Sequence, residues 1–241
     1  SPSLGMWMWL VFSLFSVGGA AMFDALIFDL DGTLWDAVDG ICDAWNQALS
    51  CRAPHLAGMV TPDRVRPCMG MLLEDIIKKL FPGEDPDNYP GLVDACLNLE
   101  NEHMARVGGI LFPREEETLA QLARRTPLFI VSNCQDGYIE AFFQAHGLGR
   151  FFADWECPGR TGLDKAGNIT LVMERNGLKR PLYIGDTAGD WKSATAAGVP
   201  FLHAAYGFGS VPPDVPHVDC FAQLPQAIDA LCACEPGRLS H

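Results

Sequence analysis

The sequence predicts an α/β fold: a parallel-sheet core with helices on both faces, and a helical cap inserted into that core. Three observations lead to this fold class. The apolar run Ala25 to Phe28 ends in the acidic motif Asp29-Leu30-Asp31-Gly32-Thr33. From there to about residue 107, apolar residues recur only at helical spacing. Beyond Pro113, helical and strand-like segments alternate, which is typical of parallel βαβ units.

The first predicted strand ends in two carboxylates, Asp29 and Asp31. Because unpaired charges are costly to bury, a strand end that carries both indicates a bound cation, a proton-transfer task, or both. Gly32 allows the backbone to turn sharply and closely past whatever binds there. Asp-Gly is also common in ordinary turns, so this motif alone does not decide between a site and a turn.

The segment that follows is predicted to be helical throughout. Apolar side chains recur at helical spacing in three stretches, at residues 35–49, 72–80 and 92–104. We therefore expect a helical cap at residues 36–107, inserted into a Rossmann-like catalytic core formed by residues 22–35 and 108–241. The aromatic residues and methionines of the cap are expected mainly in its hydrophobic core.

Beyond Pro113 each predicted element follows from a local pattern. The elements are a helix from Glu115 to Arg125, a strand at 128–131, a helix at 138–145 that stops near Gly147, a helix from Lys165, a strand at 182–184, a helix at 191–197 that stops at Gly198, and a strand at 201–205. In open parallel sheets, ligands bind beyond the carboxyl ends of the strands. Asp29, Ser132 and Asp186 all fall at such ends.

Three further motifs add chemistry to these ends. Ser132-Asn133 follows its strand with a hydroxyl and an amide, and hydroxyl and backbone N–H groups there could hold phosphate oxygens. Lys165 opens a helical pattern, and Asp186 and Asp190 are spaced to share one helix face. Each motif by itself also fits an ordinary turn, a solvated lysine or a helix cap. Their joint order in one chain favours a common site.

This ordered set resembles the haloacid dehalogenase-like hydrolase superfamily, most closely the branch that includes phosphoglycolate phosphatase and β-phosphoglucomutase. The resemblance covers residues 22 to about 232. It implies that Asp29 is the nucleophile that becomes an aspartyl-phosphate, and that Asp31 is the acid/base. The residues implied to hold Mg²⁺ are Asp29, the Asp31 backbone carbonyl, Asp186 and, in support, Asp190. The residues implied to bind phosphate are Thr33, Ser132, Asn133 and Lys165.

The implied cofactor suits the implied chemistry. A carboxylate that attacks a phosphate dianion meets like-charge repulsion, which a hard divalent cation and a lysine offset. Mg²⁺ needs only one or two carboxylates because it keeps several waters, and Asp29 and Asp186 supply them. Ala166 follows Lys165 where many relatives have proline, which leaves the subfamily open.

The expected function is Mg²⁺-dependent hydrolysis of small phosphomonoesters. A sugar phosphomutase shares every motif found here, so it stays an alternative. A dehalogenase is disfavoured by Asp31, which that branch lacks in the family pattern. A non-catalytic phosphate-binding module is disfavoured because a helical insertion of this size suits the enclosure of a substrate. Turnover of a generic phosphomonoester would separate an enzyme from such a module.

Composition limits the partners and the location. The formal net charge of −13 over 241 residues leaves no basic surface for nucleic acid, so the expected partner is a small phosphorylated metabolite. Nine cysteines without a paired C-x-x-C motif favour a reducing, cytoplasmic location. The apolar run at residues 6–17 is too short for a confident membrane span. Residues 1–21 are expected to be an extension outside the fold, with a signal or anchor and a docked helix as alternatives; no stable membrane association is expected, and the oligomeric state stays open.

Overall fold

The computed structural model describes residues 23–233. Over these residues it is an α/β structure built on one sheet, which confirms the expected fold class. The strands are β1 (Ala25–Phe28), β2 (Leu128–Val131), β3 (Phe152–Glu156), β4 (Pro181–Gly185), β5 (Phe201–Ala204) and β6 (His217–Val218). The helices are α1 (Val38–Arg52), α2 (Pro62–Val65), α3 (Leu73–Leu80), α4 (Leu92–Val107), α5 (Glu115–Ala123), α6 (Tyr138–His146), α7 (Pro158–Thr161), α8 (Lys165–Asn176), α9 (Ala188–Ala196) and α10 (Leu224–Ala233). The strands pair in parallel in the order β3-β2-β1-β4-β5-β6.

Strand β1 lies inside the sheet, between β2 and β4. All four of its residues are buried, as expected for a continuous apolar strand that is covered on both faces. Leu26 is in register with Leu128 of β2 and with Leu182 of β4. The carboxyl ends of these three strands therefore adjoin, and the residues that follow them meet at one edge of the sheet.

The two faces of the sheet pack against separate hydrophobic cores. Leu26 and Phe28 belong to one core, which continues into the helices that follow β1. Ala25 and Ile27 belong to the other, which includes apolar residues of α8 and α9. This division follows from the alternation of side chains along a strand, and it places helices on both faces.

The segment between β1 and α5 contributes α1 to α4, and no strand lies among its described residues between Val38 and Val107. Helices α1 and α4 pack against each other. The boundaries proposed for the cap at residues 36–107 and for the core stay a prediction. Within residues 23–233, no helix has the length and apolar character needed to cross a membrane. The expectations for residues 1–21 lie outside the described part of the chain.

Strands β3 and β6 were not predicted from the sequence. β3 lies at one edge of the sheet, and its Asp154 and Glu156 obscure the apolar pattern. Arg175 of α8 donates hydrogen bonds to both carboxylates, at 2.8 and 2.9 Å. β6, at the other edge, has only two residues, which is too short for a periodicity to appear.

Candidate active site

The ends of β1, β2 and β4 bring the expected acidic and hydroxyl side chains together. Asp29 follows β1, Ser132 follows β2 and Asp186 follows β4, and all three are buried. The backbone N–H of Asp29 donates to the carbonyl of Ile184 in β4 at 2.9 Å, which fixes the end of β1 against its neighbour. The sheet register thus assembles residues that are more than 150 positions apart in sequence.

Lys165 joins two of the carboxyl groups. Its Nζ lies 2.9 Å from Oδ1 of Asp29 and 2.5 Å from Oδ1 of Asp190. The lysine begins α8, whose N-cap is Asp164; the Asp164 side chain accepts from the backbone N–H of Gly167. Burial disfavours the charged lysine, but the carboxylates of Asp190 and Asp29 outweigh burial and hold the Lys165 pKa well above its ordinary value. The lysine is therefore a fixed positive charge beside the predicted nucleophile.

Asp29 has one oxygen engaged and one free. Lys165 occupies Oδ1, whereas Oδ2 is buried without a hydrogen-bond partner among the described residues. Burial, and then repulsion from Asp190, raise the pKa of Asp29 from 3.8 to about 6 despite the opposing effect of Lys165. A buried carboxylate oxygen with no donor is costly, so this atom is the part of the site that a ligand would stabilise.

Asp190 positions the end of β4. Its Oδ2 accepts from the backbone N–H groups of Asp186 and Thr187, at 3.1 and 3.0 Å, while Oδ1 holds Lys165. Thr187 and Asp190 form a reciprocal capping box, so α9 begins at Ala188, three residues before the predicted start. Both oxygens of Asp190 are thus engaged. Its supporting role at a metal stays a prediction.

Asp186 is held by two groups. Oδ2 accepts from the backbone N–H of Phe208 at 2.8 Å, and the Thr33 hydroxyl lies 3.4 Å from Oδ1. Gly32, at φ +77°, packs so closely that an added Cβ would lie 2.2 Å from Asp186 Oδ2. Only glycine fits there. The close contact with Asp186, in addition to the sharp backbone turn, therefore explains why the first motif has a glycine at this position.

A divalent metal ion fits this donor set. Asp29, Asp186 and Asp190 each offer a carboxylate oxygen, and these three oxygens lie within 4.8 Å of one another. Burial, followed by the charges of Asp190 and Asp29, holds the Asp186 pKa well above its ordinary value. Three buried carboxyl groups thus face one lysine, and a hard cation with oxygen ligands would offset the excess negative charge. The side chain of Asp31 is not part of this group, and coordination by its backbone carbonyl stays a prediction.

Asp31 lies in a different environment from Asp29. Its Oδ1 accepts from Trp35 Nε1 at 2.8 Å and from the Tyr138 hydroxyl at 2.9 Å. Burial, and then the charge of Asp29, raise the Asp31 pKa from 3.8 to about 8. The two carboxyl groups of the first motif therefore differ in environment, and Asp31 is the one that retains a proton near neutral pH.

The other predicted phosphate ligands have local partners. Ser132 is buried at the end of β2. Asn133 donates from Nδ2 to the backbone carbonyl of Gly70 at 3.2 Å, and its Oδ1 is buried without a partner among the described residues. Thr33 lies against Asp186 as described above. Contact of these residues with phosphate stays a prediction.

A cavity of about 320 Å³ opens beside Asp31. One wall comes from the ends of the core strands, and the other comes from α1, α3, α4 and the loop before α3. The sequence suggests Trp35, Trp45 and the loop at residues 67–70 as candidates for the face that senses the leaving group, and of these Trp45, Met69 and Gly70 line the cavity. Trp35 is instead fully buried beneath Asp31.

Sequence reasoning missed three contributors to the site. Tyr138 reaches Asp31 across 107 positions, and Phe208 reaches Asp186 through its backbone N–H. Glu100, from α4, lines the cavity. No sequence motif pointed to them, because each is brought in by tertiary packing. Trp35, four positions after Asp31, was predicted to belong to the first helix, but it lies before α1.

The fold and the site define a class of enzyme with a carboxylate pair and a lysine at the strand ends of a parallel sheet. Comparison with known proteins indicates the same class of enzyme. Residues 26–204 match the family model described as haloacid dehalogenase-like hydrolase. The chain belongs to this family.

The relatives place the chain in one branch of the family. It is 32% identical to a phosphoglycolate phosphatase of Rhodobacter capsulatus over 209 residues, which cover 83% of this chain and 93% of that protein. It is 28% identical to a phosphoglycolate phosphatase of Photorhabdus laumondii, over 76% of this chain and 81% of that protein. A solved haloacid dehalogenase-like hydrolase of Bacteroides fragilis shares the fold, with a TM-score of 0.72 at 24% identity, over 84% of this chain and 99% of that structure. The expected phosphoglycolate phosphatase-like branch is confirmed, and the chain is a hydrolase that acts on phosphoric monoesters.

Proposed function

We propose that this protein is a Mg²⁺-dependent phosphatase that hydrolyses small phosphomonoesters through an aspartyl-phosphate on Asp29. The observation that carries the proposal is the contrast within one motif: Asp29 is anchored by Lys165 with one oxygen free, and Asp31 retains a proton two residues away. A nucleophile and an acid are the two groups that such a reaction needs. The phosphoglycolate phosphatases among its relatives support the same chemistry.

In the first step, an oxygen of Asp29 attacks phosphorus, and the bond from phosphorus to the ester oxygen breaks. Asp31 gives its proton to that oxygen, so the product leaves as a neutral alcohol. In the second step, Asp31 takes a proton from water, and the water oxygen attacks phosphorus. The bond from phosphorus to Asp29 breaks, which releases inorganic phosphate and restores both carboxyl groups.

The remaining residues bind and orient. Lys165 and Ser132 contact the phosphoryl group, with Thr33 and Asn133 beside them. Trp35 and Tyr138 hold the Asp31 carboxyl group toward the ester oxygen through the hydrogen bonds at Oδ1. Asp29, Asp186 and the Asp31 carbonyl would hold Mg²⁺, with Asp190 in support, and the ion would offset the repulsion between Asp29 and a phosphate dianion.

The position of the cavity beneath the helical segment supports small substrates. The outer wall of the cavity is formed by helices that follow the nucleophile motif directly in the sequence. These helices can therefore cover the reacting group and exclude water. The acidic composition disfavours nucleic acids and other polyanions. A cytoplasmic location is part of the proposal, supported by the eight free cysteines of the described residues.

Replacement of Asp29 by asparagine tests the proposal. The change is isosteric and removes the nucleophile, so release of phosphate from a panel of small phosphomonoesters should fall to background while the circular dichroism spectrum is retained. Asp94→Asn, at an exposed position of α4, is the matched control and should keep wild-type turnover. Wild-type activity should also require Mg²⁺ and disappear with chelator.

Three results would contradict the proposal or parts of it. Near-normal turnover by Asp29→Asn would exclude the aspartyl-phosphate, and full activity in chelator would exclude the metal. Isomerisation of a sugar phosphate without release of phosphate would identify a phosphomutase instead.

A further inference from the structure

The cavity beside Asp31 is lined by acidic side chains and, among the described residues, by no basic ones. Its lining residues, all within the described part of the chain, include the carboxyl groups of Asp31 and Glu100 and no lysine, arginine or histidine. The rest of the wall is mainly apolar, with Trp45, Leu97 and Met71 among its members. The alcohol portion of a substrate would enter this space when its phosphate reaches Asp29.

Glu100 is a built feature of this wall. It lies on α4 and is only 4% exposed, and its Oε2 accepts a hydrogen bond from Trp45 Nε1 of α1 at 2.5 Å. Burial raises its pKa from 4.5 to about 7, with Trp45 and then Gln135 opposing the shift. The catalytic steps above make no use of Glu100. An acidic group that is held in place beside the substrate space, without a catalytic task, is suited to selecting what enters.

Two cations near the site are committed elsewhere. Lys165 is held between Asp29 and Asp190, on the phosphate side. Arg66 donates to Asp36 at 2.8 Å, and its guanidinium lies 5.2 Å from the centroid of the Phe208 ring. Neither lines the cavity. A negative charge on the alcohol portion would therefore enter a largely apolar space without a counter-charge.

We infer, resting on the proposed phosphatase function, that this enzyme prefers phosphomonoesters whose alcohol portion carries no negative charge, and that Glu100 is a specificity-determining residue that disfavours carboxylate-bearing esters. Placing a carboxylate there costs desolvation without pairing, and repulsion from the ionised form of Glu100 adds to that cost. The alcohol portion of phosphoglycolate is glycolate, which carries a carboxylate. Phosphoglycolate should accordingly be a poor substrate. This specificity differs from the name that its phosphoglycolate phosphatase relatives carry.

The first test compares two esters of the same shape on the wild-type enzyme with Mg²⁺. These are 2-phosphoglycolate and its uncharged amide, phosphoglycolamide, with p-nitrophenyl phosphate as a reporter of phosphatase chemistry. We expect kcat/KM to be at least about tenfold higher for the amide, mostly through a lower KM, because the repulsion acts on binding. Equal or higher efficiency with phosphoglycolate would overturn the inference.

The reporter separates this inference from the proposed function. Hydrolysis of p-nitrophenyl phosphate together with a preference for phosphoglycolate would overturn the inference and leave the phosphatase function standing. Absence of turnover of all three esters would overturn both.

The second test assigns the selectivity to Glu100. Glu100→Gln keeps the size of the side chain and an acceptor for Trp45 while removing the charge, so the ratio of kcat/KM between amide and carboxylate esters should fall by about tenfold. The matched control is Glu102→Gln, which removes an exposed charge from the same helix and should keep the wild-type ratio. An unchanged ratio in Glu100→Gln would overturn the role of Glu100. The comparison of the two esters on the wild-type enzyme decides the selectivity even where the variant does not fold.

Discussion

Replacing Lys165 with methionine should destabilise the metal-free protein strongly. The lysine is 3% exposed, and it pairs with Asp29 and Asp190, which are equally buried. Methionine fills similar volume but leaves two buried carboxyl groups without their cation. Removing one partner from a buried ion pair costs about 3–5 kcal/mol. For a domain of this size each kcal/mol lowers Tm by roughly 2–4 °C, so we expect a fall of about 6–20 °C.

The response to Mg²⁺ separates charge from packing in this variant. A ligand that binds only the folded state raises Tm according to its affinity. The Lys165 ammonium group repels a cation at Asp29 and Asp190, so its removal should tighten Mg²⁺ binding, and Mg²⁺ should raise Tm more in Lys165→Met than in the wild type. Thermal unfolding by circular dichroism, with Mg²⁺ and with chelator, measures both quantities.

A packing control uses the same helix. Ile169→Ala removes a fully buried apolar side chain of α8 without changing any charge. It should lower Tm through the cavity it leaves, while its response to Mg²⁺ stays that of the wild type. A Tm for Lys165→Met within about 2 °C of the wild type in chelator would refute the electrostatic reasoning, as would a response to Mg²⁺ no larger than that of Ile169→Ala.

Two further predictions address the acid of the site and a buried carboxyl group away from it. Asp31→Asn should lower kcat by about 10²–10⁴, because an amide has no acidic proton to transfer. The fold should be retained, because the amide oxygen still accepts hydrogen bonds from Trp35 and Tyr138. A loss below about tenfold would exclude Asp31 as the acid. Burial raises the Glu115 pKa from 4.5 to about 9, so its stabilising contribution is complete below pH 4.5 and is lost as pH rises toward 9. Glu115→Gln should therefore raise the free energy of unfolding by up to about 5 kcal/mol at pH 8 and flatten the dependence of Tm on pH. An unchanged pH profile in thermal melts would contradict this.

The strand ends were predictable because each depends on local sequence. Asp29, Ser132 and Asp186 directly follow apolar runs, and parallel pairing forces such ends to one edge of the sheet. The edge strand β3 was missed because its acidic residues pair with Arg175 of a distant helix. A strand whose charges are satisfied by tertiary contacts does not show the apolar pattern on which the prediction depends.

The partners that distinguish Asp29 from Asp31 could not be predicted. The two residues share one motif, and their different environments come from Lys165, 136 positions from Asp29, and Tyr138, 107 positions from Asp31. Lys165 carried a motif of its own, whereas Tyr138 was only the first residue of a predicted helix. Packing alone decides which buried tyrosine donates to a carboxyl group.

The candidate phosphate-binding residues and the helical wall of the cavity belong to different parts of the fold, and hydrogen bonds join these parts beside the site. Asn133, at the end of β2, donates to the carbonyl of Gly70 in the helical segment. Gly70 has φ +85°, a backbone conformation that L side chains rarely adopt, and an added Cβ would lie 3.3 Å from Thr187. The candidate reacting groups are held by the sheet and its register, whereas Glu100 and the apolar wall are held by helix packing. Substitutions in the wall can therefore change the accepted alcohol while the proposed nucleophile, the proposed acid and Lys165 stay in place, so we expect likeness to the relatives to predict the reaction better than the substrate.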